Sequence, residues 1–257
     1  MKVVILAGGY GTRLGQIANV IPKPMVEIGE KPILWHIMKI YSHYGFNDFV
    51  ICTGYKSNII KDYFLNARNI REDFTIDYST GNIEYHTESL ERDWKVTVVY
   101  TGLDTLKGGR LKRIEKYLDD DINLLTYGDG VADINIKDLI KFHHSKGKIV
   151  TLSGVHPPAR FGELSCNGDI LESFQEKPQT SQGLINGGFM VFNKELFNYL
   201  SEDTNCDLEY GVFEKLSKKE QIAVYKHEGF WACMVNERDI AKLNEMWKKD
   251  NAFWKVW

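Results

Sequence analysis

Short runs of β-branched and aromatic residues alternate along the chain with longer stretches whose apolar residues recur every three to four positions. The runs KVVILA, DFVICTG, VTVVYTG, NLLTYGD, IVTLSGV, GGFMVFN and IAVYKH read as strands. Between the first two, PILWHIMKIYSHYG sets Ile33, Ile37, Tyr41 and Tyr44 on one stripe. Pro32 stands at a first-turn position and Gly45 just past the end, so the segment predicts a helix. Further helices are predicted in SNIIKDYFLNAR, where Ser57 can cap, in GRLKRIEKYL, in NIKDLIKFHHSKG and around IAKLNEMWKK. Strands separated by helices predict an α/β protein with a mostly parallel sheet covered on both faces.

No Pro/Gly/Ser linker, internal repeat or low-complexity tract divides the 257 residues. We expect a single domain over 1–257 with a substrate-side lobe around 156–235, because the stretch from His156 to Gly188 is the most polar and turn-rich. A composition of 43% apolar and 26% charged residues is that of an ordinary globular protein. The net charge of −3 speaks against broad binding to nucleic acid, whose partners usually carry a basic excess. The opening apolar stretch is too short for a signal peptide, and no run reaches the roughly 18 apolar residues of a membrane span. A cytoplasmic protein without membrane insertion is expected. The four cysteines, Cys52, Cys166, Cys206 and Cys233, form no C-x-x-C pair and read as buried, reduced thiols.

In open α/β sheets ligands bind beyond the carboxyl ends of the strands, and here those ends carry unusual residues. The first strand runs into AGGYGTR, where Gly8, Gly9 and Gly11 permit close backbone approach and present N–H groups to an anion. The loop is neither a Walker A motif nor a complete G-x-G-x-x-G, since Leu14 stands at the third glycine, and alone it is equally compatible with a tight turn. Arg13 and Lys23 change that reading: two cations beside a nest of amides suit a triphosphate, and Pro22 and Pro24 stiffen the chain around Lys23. TYGDG then places Asp129 at the sheet's carboxyl edge, where a carboxylate can hold Mg²⁺. FQEKP, with Lys177, and INGGF, with Asn186, Gly187 and Gly188, suggest a second, smaller anion pocket. The histidines read as structural or incidental: His143 and His144 are helix neighbours that point apart, and the others are scattered.

Taken in order, LAGGYGTRL, PKPM, YGDG, FQEKP and INGGF resemble the sugar-1-phosphate nucleotidylyltransferases. KPILWHIM, GGRLKR, PPARFG and the terminal FWKVW are similar to the glucose-1-phosphate cytidylyltransferase branch. The resemblance covers nearly the whole chain. It implies a Rossmann-like, mixed and mainly parallel sheet sandwiched by helices, and transfer of a cytidylyl group from CTP to a sugar 1-phosphate with Mg²⁺ as cofactor. It also implies a homo-oligomer. Carried over by motif position, Leu6, Ala7, Gly8, Gly9, Tyr10, Gly11, Thr12 and Arg13 would wrap the nucleotide together with Lys23, Thr105, Arg110 and Gly128. Glu176, Lys177, Asn186 and Gly187 would hold the sugar phosphate, Asp129 the metal, and Arg13, Lys23 and Asp129 would carry catalysis. A phosphate monoester is already an anionic nucleophile at neutral pH, so alignment and charge neutralisation suffice without an activated serine, cysteine or histidine.

Two positions depart from the family pattern. Where the family has a second metal-binding aspartate, in a tract like FWQPMDT, this chain reads FWACMVNERD and places Val235. Three readings stay open: Asn236, Glu237 or Asp239 replaces it; Asp129 holds Mg²⁺ with phosphate oxygens and water; or the protein binds its ligands in a regulatory role without efficient turnover. In CDLEYGVFEKL, Glu209 keeps an acid in the segment that closes over the sugar, while Tyr210 and Gly211 replace the usual Pro-Leu. A different nucleotide or acceptor phosphate therefore remains an alternative.

Overall fold

The computed structural model describes residues 1–87, 91–157, 163–175 and 183–257. All seven predicted strands form, and they join in one sheet. In chain order they are β1 (Val3–Ala7), β2 (Asp48–Thr53), β3 (Lys95–Tyr100), β4 (Ile122–Tyr127), β5 (Val150–Val155), β6 (Ile185–Asn193) and β7 (Ile222–His227), arranged in space as β7-β5-β6-β4-β1-β2-β3. Every neighbouring pair is parallel except those made by β6, which runs antiparallel to both β4 and β5. The sheet is thus mixed and mainly parallel, as expected.

Strands buried on both faces need apolar side chains at every position. In β1, Val3, Ile5 and Ala7 enter one hydrophobic cluster while Val4 and Leu6 enter the other. The first cluster is closed by α1 (Ile33–His43), α2 (Ser57–Arg71), α4 (Ile136–Lys146) and α6 (Glu237–Lys248). The second is closed by α3 (Lys107–Arg113), the turn Leu208–Phe213 and α5 (Glu214–Lys218). Asn135 caps α4 and Gly147, at φ 58°, ends it in the left-handed conformation that glycine adopts without strain.

Several local expectations are corrected. Ser57 is not the cap of α2: it is the first helical residue, and its hydroxyl bonds Thr53 Oγ1 at 2.7 Å, tying the helix to the end of β2. The helix expected over GRLKRIEKYL stops at Arg113 and continues only as a short 3-10 turn, Glu115–Tyr117. Of the cysteines only Cys52 is buried; Cys166 is exposed and Cys206 and Cys233 are half-buried, all four being free thiols. Between 156 and 235 the described residues supply both a separate hairpin, Glu163–Asn167 with Ile170–Gln175, and two strands of the central sheet. His143 bonds Thr151 and Asn193, a structural role, while His144 is exposed.

The aromatic C-terminal tail packs on its own domain. Trp254 is fully buried and donates to Nδ1 of His36, whose Nε2–H donates to the carbonyl of Ile28. Burial pushes the His36 pKa down to about 4, so the ring is neutral and can accept and donate in this way.

Candidate active site

A cleft of about 610 Å³ opens at the carboxyl ends of β1 and β4. It is lined by the whole loop from Leu6 to Arg13, by Lys23, Thr105, Arg110, Gly128 and Asp129, and by Asn186 and Gly187. The fold therefore gathers these residues, distant in sequence, at the edge where an open α/β sheet binds ligands. Glu176 and Lys177 lie outside the described residues. A second cavity, of about 520 Å³, sits at the opposite edge near Asp121, Ile122 and Asn193.

The glycine loop is supported from below by a guanidinium. Arg110 is buried and donates to the carbonyls of Gly8 (3.0 Å), Thr53 (3.1 Å), Gly102 (2.7 Å) and Leu103 (3.0 Å) and to the Thr101 hydroxyl (2.9 Å). A Cβ on Gly8 would stand 2.3 Å from this guanidinium, and one on Gly54 would meet it and two carbonyl oxygens at 2.5–2.6 Å. Both positions therefore require glycine. Arg110 lines the cleft, yet its donors hold together the ends of β1, β2 and β3. Arg113 similarly donates to the hydroxyl of Thr105 at 2.8 Å. Above the loop, the Tyr10 hydroxyl donates to Asp104 at 2.5 Å and its ring lies 5.2 Å from that of Tyr55.

Lys23 is held by the extended Pro22 before it and by a tight turn, Lys23–Met25, whose Met25 is buried. Its ammonium donates to Asp129 Oδ2 at 2.5 Å, so two residues picked out in separate motifs form one ion pair. Gly128 fits against Pro24, where a Cβ would stand 3.0 Å from the proline ring. Arg13 is exposed at the cleft.

Beside Asp129 runs the segment carrying Val235. Gly130–Ala132 pairs antiparallel with Trp231–Cys233, and the N–H of Met234 donates to the Asp129 carbonyl at 2.9 Å. Neither Asn236 nor Asp239 replaces the missing carboxylate. Their side chains form the capping box of α6: Asn236 accepts from the Asp239 N–H, and Asp239 Oδ2 accepts from the N–H groups of Val235 (2.9 Å) and Asn236 (3.1 Å). Glu237 extends toward the Thr12–Asn19 turn, with Oε1 3.5 Å from where a Cβ of Gly15 would stand. Among the described residues no group of three His, Cys, Asp or Glu side chains could hold a metal ion. Cys233 lines the cleft next to Asp129; burial and then the Asp129 charge push its thiol up to about 12, so it is neutral near pH 7. Asp129 alone is a donor set that fits an ion such as Mg²⁺, which keeps phosphate oxygens and water as its other ligands.

A polar chain along the cleft joins Asn186 and Glu209, which sequence reading singled out, through Tyr127 and Lys107, which it did not. Asn186 donates to the Tyr127 hydroxyl at 3.1 Å, Tyr127 donates to Glu209 Oε1 at 2.5 Å, and Lys107 donates to the same oxygen at 2.5 Å. Tyr127 directly precedes the Gly128-Asp129 motif, which was the available signal; Lys107 and Trp231, whose indole donates to the Gly187 carbonyl at 2.8 Å, offered none. Gly188, at φ 84°, makes room for the Tyr127 ring.

A sheet of this order with a glycine loop, two cations and a carboxylate at its carboxyl edge is a nucleotide-handling architecture, and the nucleotidyl transferase family's sequence profile matches residues 2–252. The chain belongs to the nucleotidyl transferase family. Along its whole length it is 46% identical to the glucose-1-phosphate cytidylyltransferase of Salmonella typhimurium and 43% identical to a probable glucose-1-phosphate cytidylyltransferase of Bacillus subtilis, covering 100% of each. Among solved structures, HddC from Yersinia pseudotuberculosis shares the fold with a TM-score of 0.68 at 23% identity, covering 96% of this chain and 99% of that one.

Proposed function

We propose that this enzyme transfers the cytidylyl group of CTP to glucose 1-phosphate, forming CDP-glucose and pyrophosphate. The observation that carries the reading is the end-to-end 46% identity to the Salmonella typhimurium enzyme, joined to a cleft in which nearly all the motif residues converge. A phosphate oxygen of the sugar attacks the α-phosphorus of CTP, the bond to the bridging oxygen breaks, and pyrophosphate leaves with that electron pair. Loop N–H groups from Gly8 to Arg13 cradle the nucleotide phosphates, Arg13 and Lys23 neutralise charge that grows as the bond breaks, and Asn186 and Gly187 face the sugar. Glu176 and Lys177 would grip its phosphate. Mg²⁺, held by Asp129 and phosphate oxygens, would supply further neutralisation of the transferring phosphate. We place the reaction in the cytoplasm, in a homo-oligomer; among the described residues no helix is long and apolar enough to cross a membrane.

The test is incubation with CTP, Mg²⁺ and glucose 1-phosphate, reading pyrophosphate and CDP-glucose together. Stoichiometric formation of both is expected; CTP binding without product under any sugar phosphate would overturn the reading.

Val235 motivates a second reading, a homologue that keeps the pocket and has weak turnover. In a working one-carboxylate site, Val235→Asp is expected to change kcat by less than about threefold, whereas a rise of about 100-fold from a near-zero baseline supports the weakened homologue. The backbone N–H of Val235 keeps its bond to Asp239 in either case.

A further inference from the structure

We propose that Lys107 and Glu209 act as a neutralised pair that selects acceptors carrying no charge beyond their phosphate; this rests on the sugar 1-phosphate reading above.

The pair is built into the fold. Glu209 stands in the turn Leu208–Phe213, whose buried Leu208, Val212 and Phe213 anchor it in the core, and Asp207 Oδ1 accepts from the N–H groups of both Glu209 and Tyr210. Lys107 is the first residue of α3, packed on the same turn through Leu111. Its ammonium meets Glu209 Oε1 at 2.5 Å and lies 5.1 Å from the centre of the Tyr127 ring. The Tyr127 hydroxyl donates to that same Glu209 oxygen at 2.5 Å. Asn186 then joins Tyr127 to the Gly187–Gly188 segment, its Oδ1 accepting from the Gly188 N–H at 2.9 Å.

Lys107, Tyr127 and Asn186 line the cleft, and Glu209 stands behind them with its second oxygen, Oε2, buried and without a hydrogen-bond partner among the described residues. Arg13 and Lys23 serve the glycine-loop end. Lys107 is a further cation of the lining, and its charge is cancelled by Glu209. Hydroxyl groups of an acceptor meet an amide and a phenol in this region. An additional carboxylate on the acceptor would lose its water there and gain no net attraction from the paired Lys107, so it is rejected by uncompensated desolvation rather than by size.

Each half of the pair can be removed with little change in shape. Glu209→Gln leaves Lys107 unpaired, and Lys107→Met leaves Glu209 unpaired, so the two variants push selectivity in opposite directions. The measurement is kcat/KM and binding affinity for glucose 1-phosphate and glucuronic acid 1-phosphate, with CTP affinity by calorimetry in parallel. Glu209→Gln is expected to shift the ratio toward the acid by about tenfold or more, Lys107→Met to shift it away, and the double variant to return near the original ratio. CTP affinity should hold in both.

An unchanged affinity ratio in both single variants overturns the pair as a selectivity device. So does a tenfold loss of CTP affinity in Lys107→Met at constant ratio, which makes Lys107 a phosphate ligand. Retained selectivity in binding without turnover of either acceptor supports the pair while overturning the catalytic reading on which it was framed.

Discussion

Replacing Asp129 with asparagine is expected to lower kcat by about 10²–10³-fold, the scale on which single charge-stabilising groups act in transition states. The substitution keeps the shape of the side chain and removes its charge. Two consequences of the geometry make the loss severe. No third acidic, histidine or cysteine group among the described residues completes a metal cluster, and the nearby Asn236 and Asp239 are held in the α6 cap. Lys23 also loses the carboxylate that positions its ammonium. The ion pair is only partly buried, so the fold should tolerate the change, with a melting temperature within a few degrees of the original. Steady-state kinetics with CTP and glucose 1-phosphate, alongside thermal unfolding, is the check. Turnover within about fivefold of the parent would remove Asp129 from the catalytic set.

Arg110→Met should be mainly a stability variant, although Arg110 lines the cleft. Its guanidinium holds four backbone carbonyls and a hydroxyl that join β1, β2 and β3, and methionine removes a donor from each; the Gly8 and Thr53 carbonyls then keep only the bonds from Tyr55 and Thr101. We expect a loss of about 3–5 kcal/mol, as for breaking a buried charged network. At this chain length that is a fall in Tm of about 6–20 °C. Affinity for CTP should fall as well, because the Gly8 carbonyl is one of the tethered groups and the loop loses its support. Lysine restores the charge as a single point donor and should recover less than half of the stability. A variant that melts like the parent yet binds CTP poorly would show that Arg110 acts on the ligand directly.

The two variants probe residues that sequence reading placed together in one site and that the structure places in different roles. Asp129 points its charge into the cleft beside Lys23, whereas Arg110 directs its donors to backbone. Nothing in GGRLKR distinguishes a guanidinium that meets a ligand from one that meets carbonyls, because the partners come from segments up to 102 residues away.

What the sequence determined by itself is the sheet and the face that matters. Runs such as VVILA and FVIC are apolar at every position, which only a strand covered on both faces can bury, and the helical stripe of Ile33, Ile37 and Tyr41 supplies one cover. Glycines and cations following those strands then had one place to be, the carboxyl edge. Tertiary structure decided the pairings. That Lys23 meets Asp129, that Asp239 caps a helix instead of replacing the carboxylate missing at Val235, and that Lys107 neutralises Glu209 depend on contacts between distant segments. Local pattern reports which face a residue shares with its neighbours in the chain. Charge pairing depends on which other segment packing brings within about 3 Å, and that is a property of the whole fold.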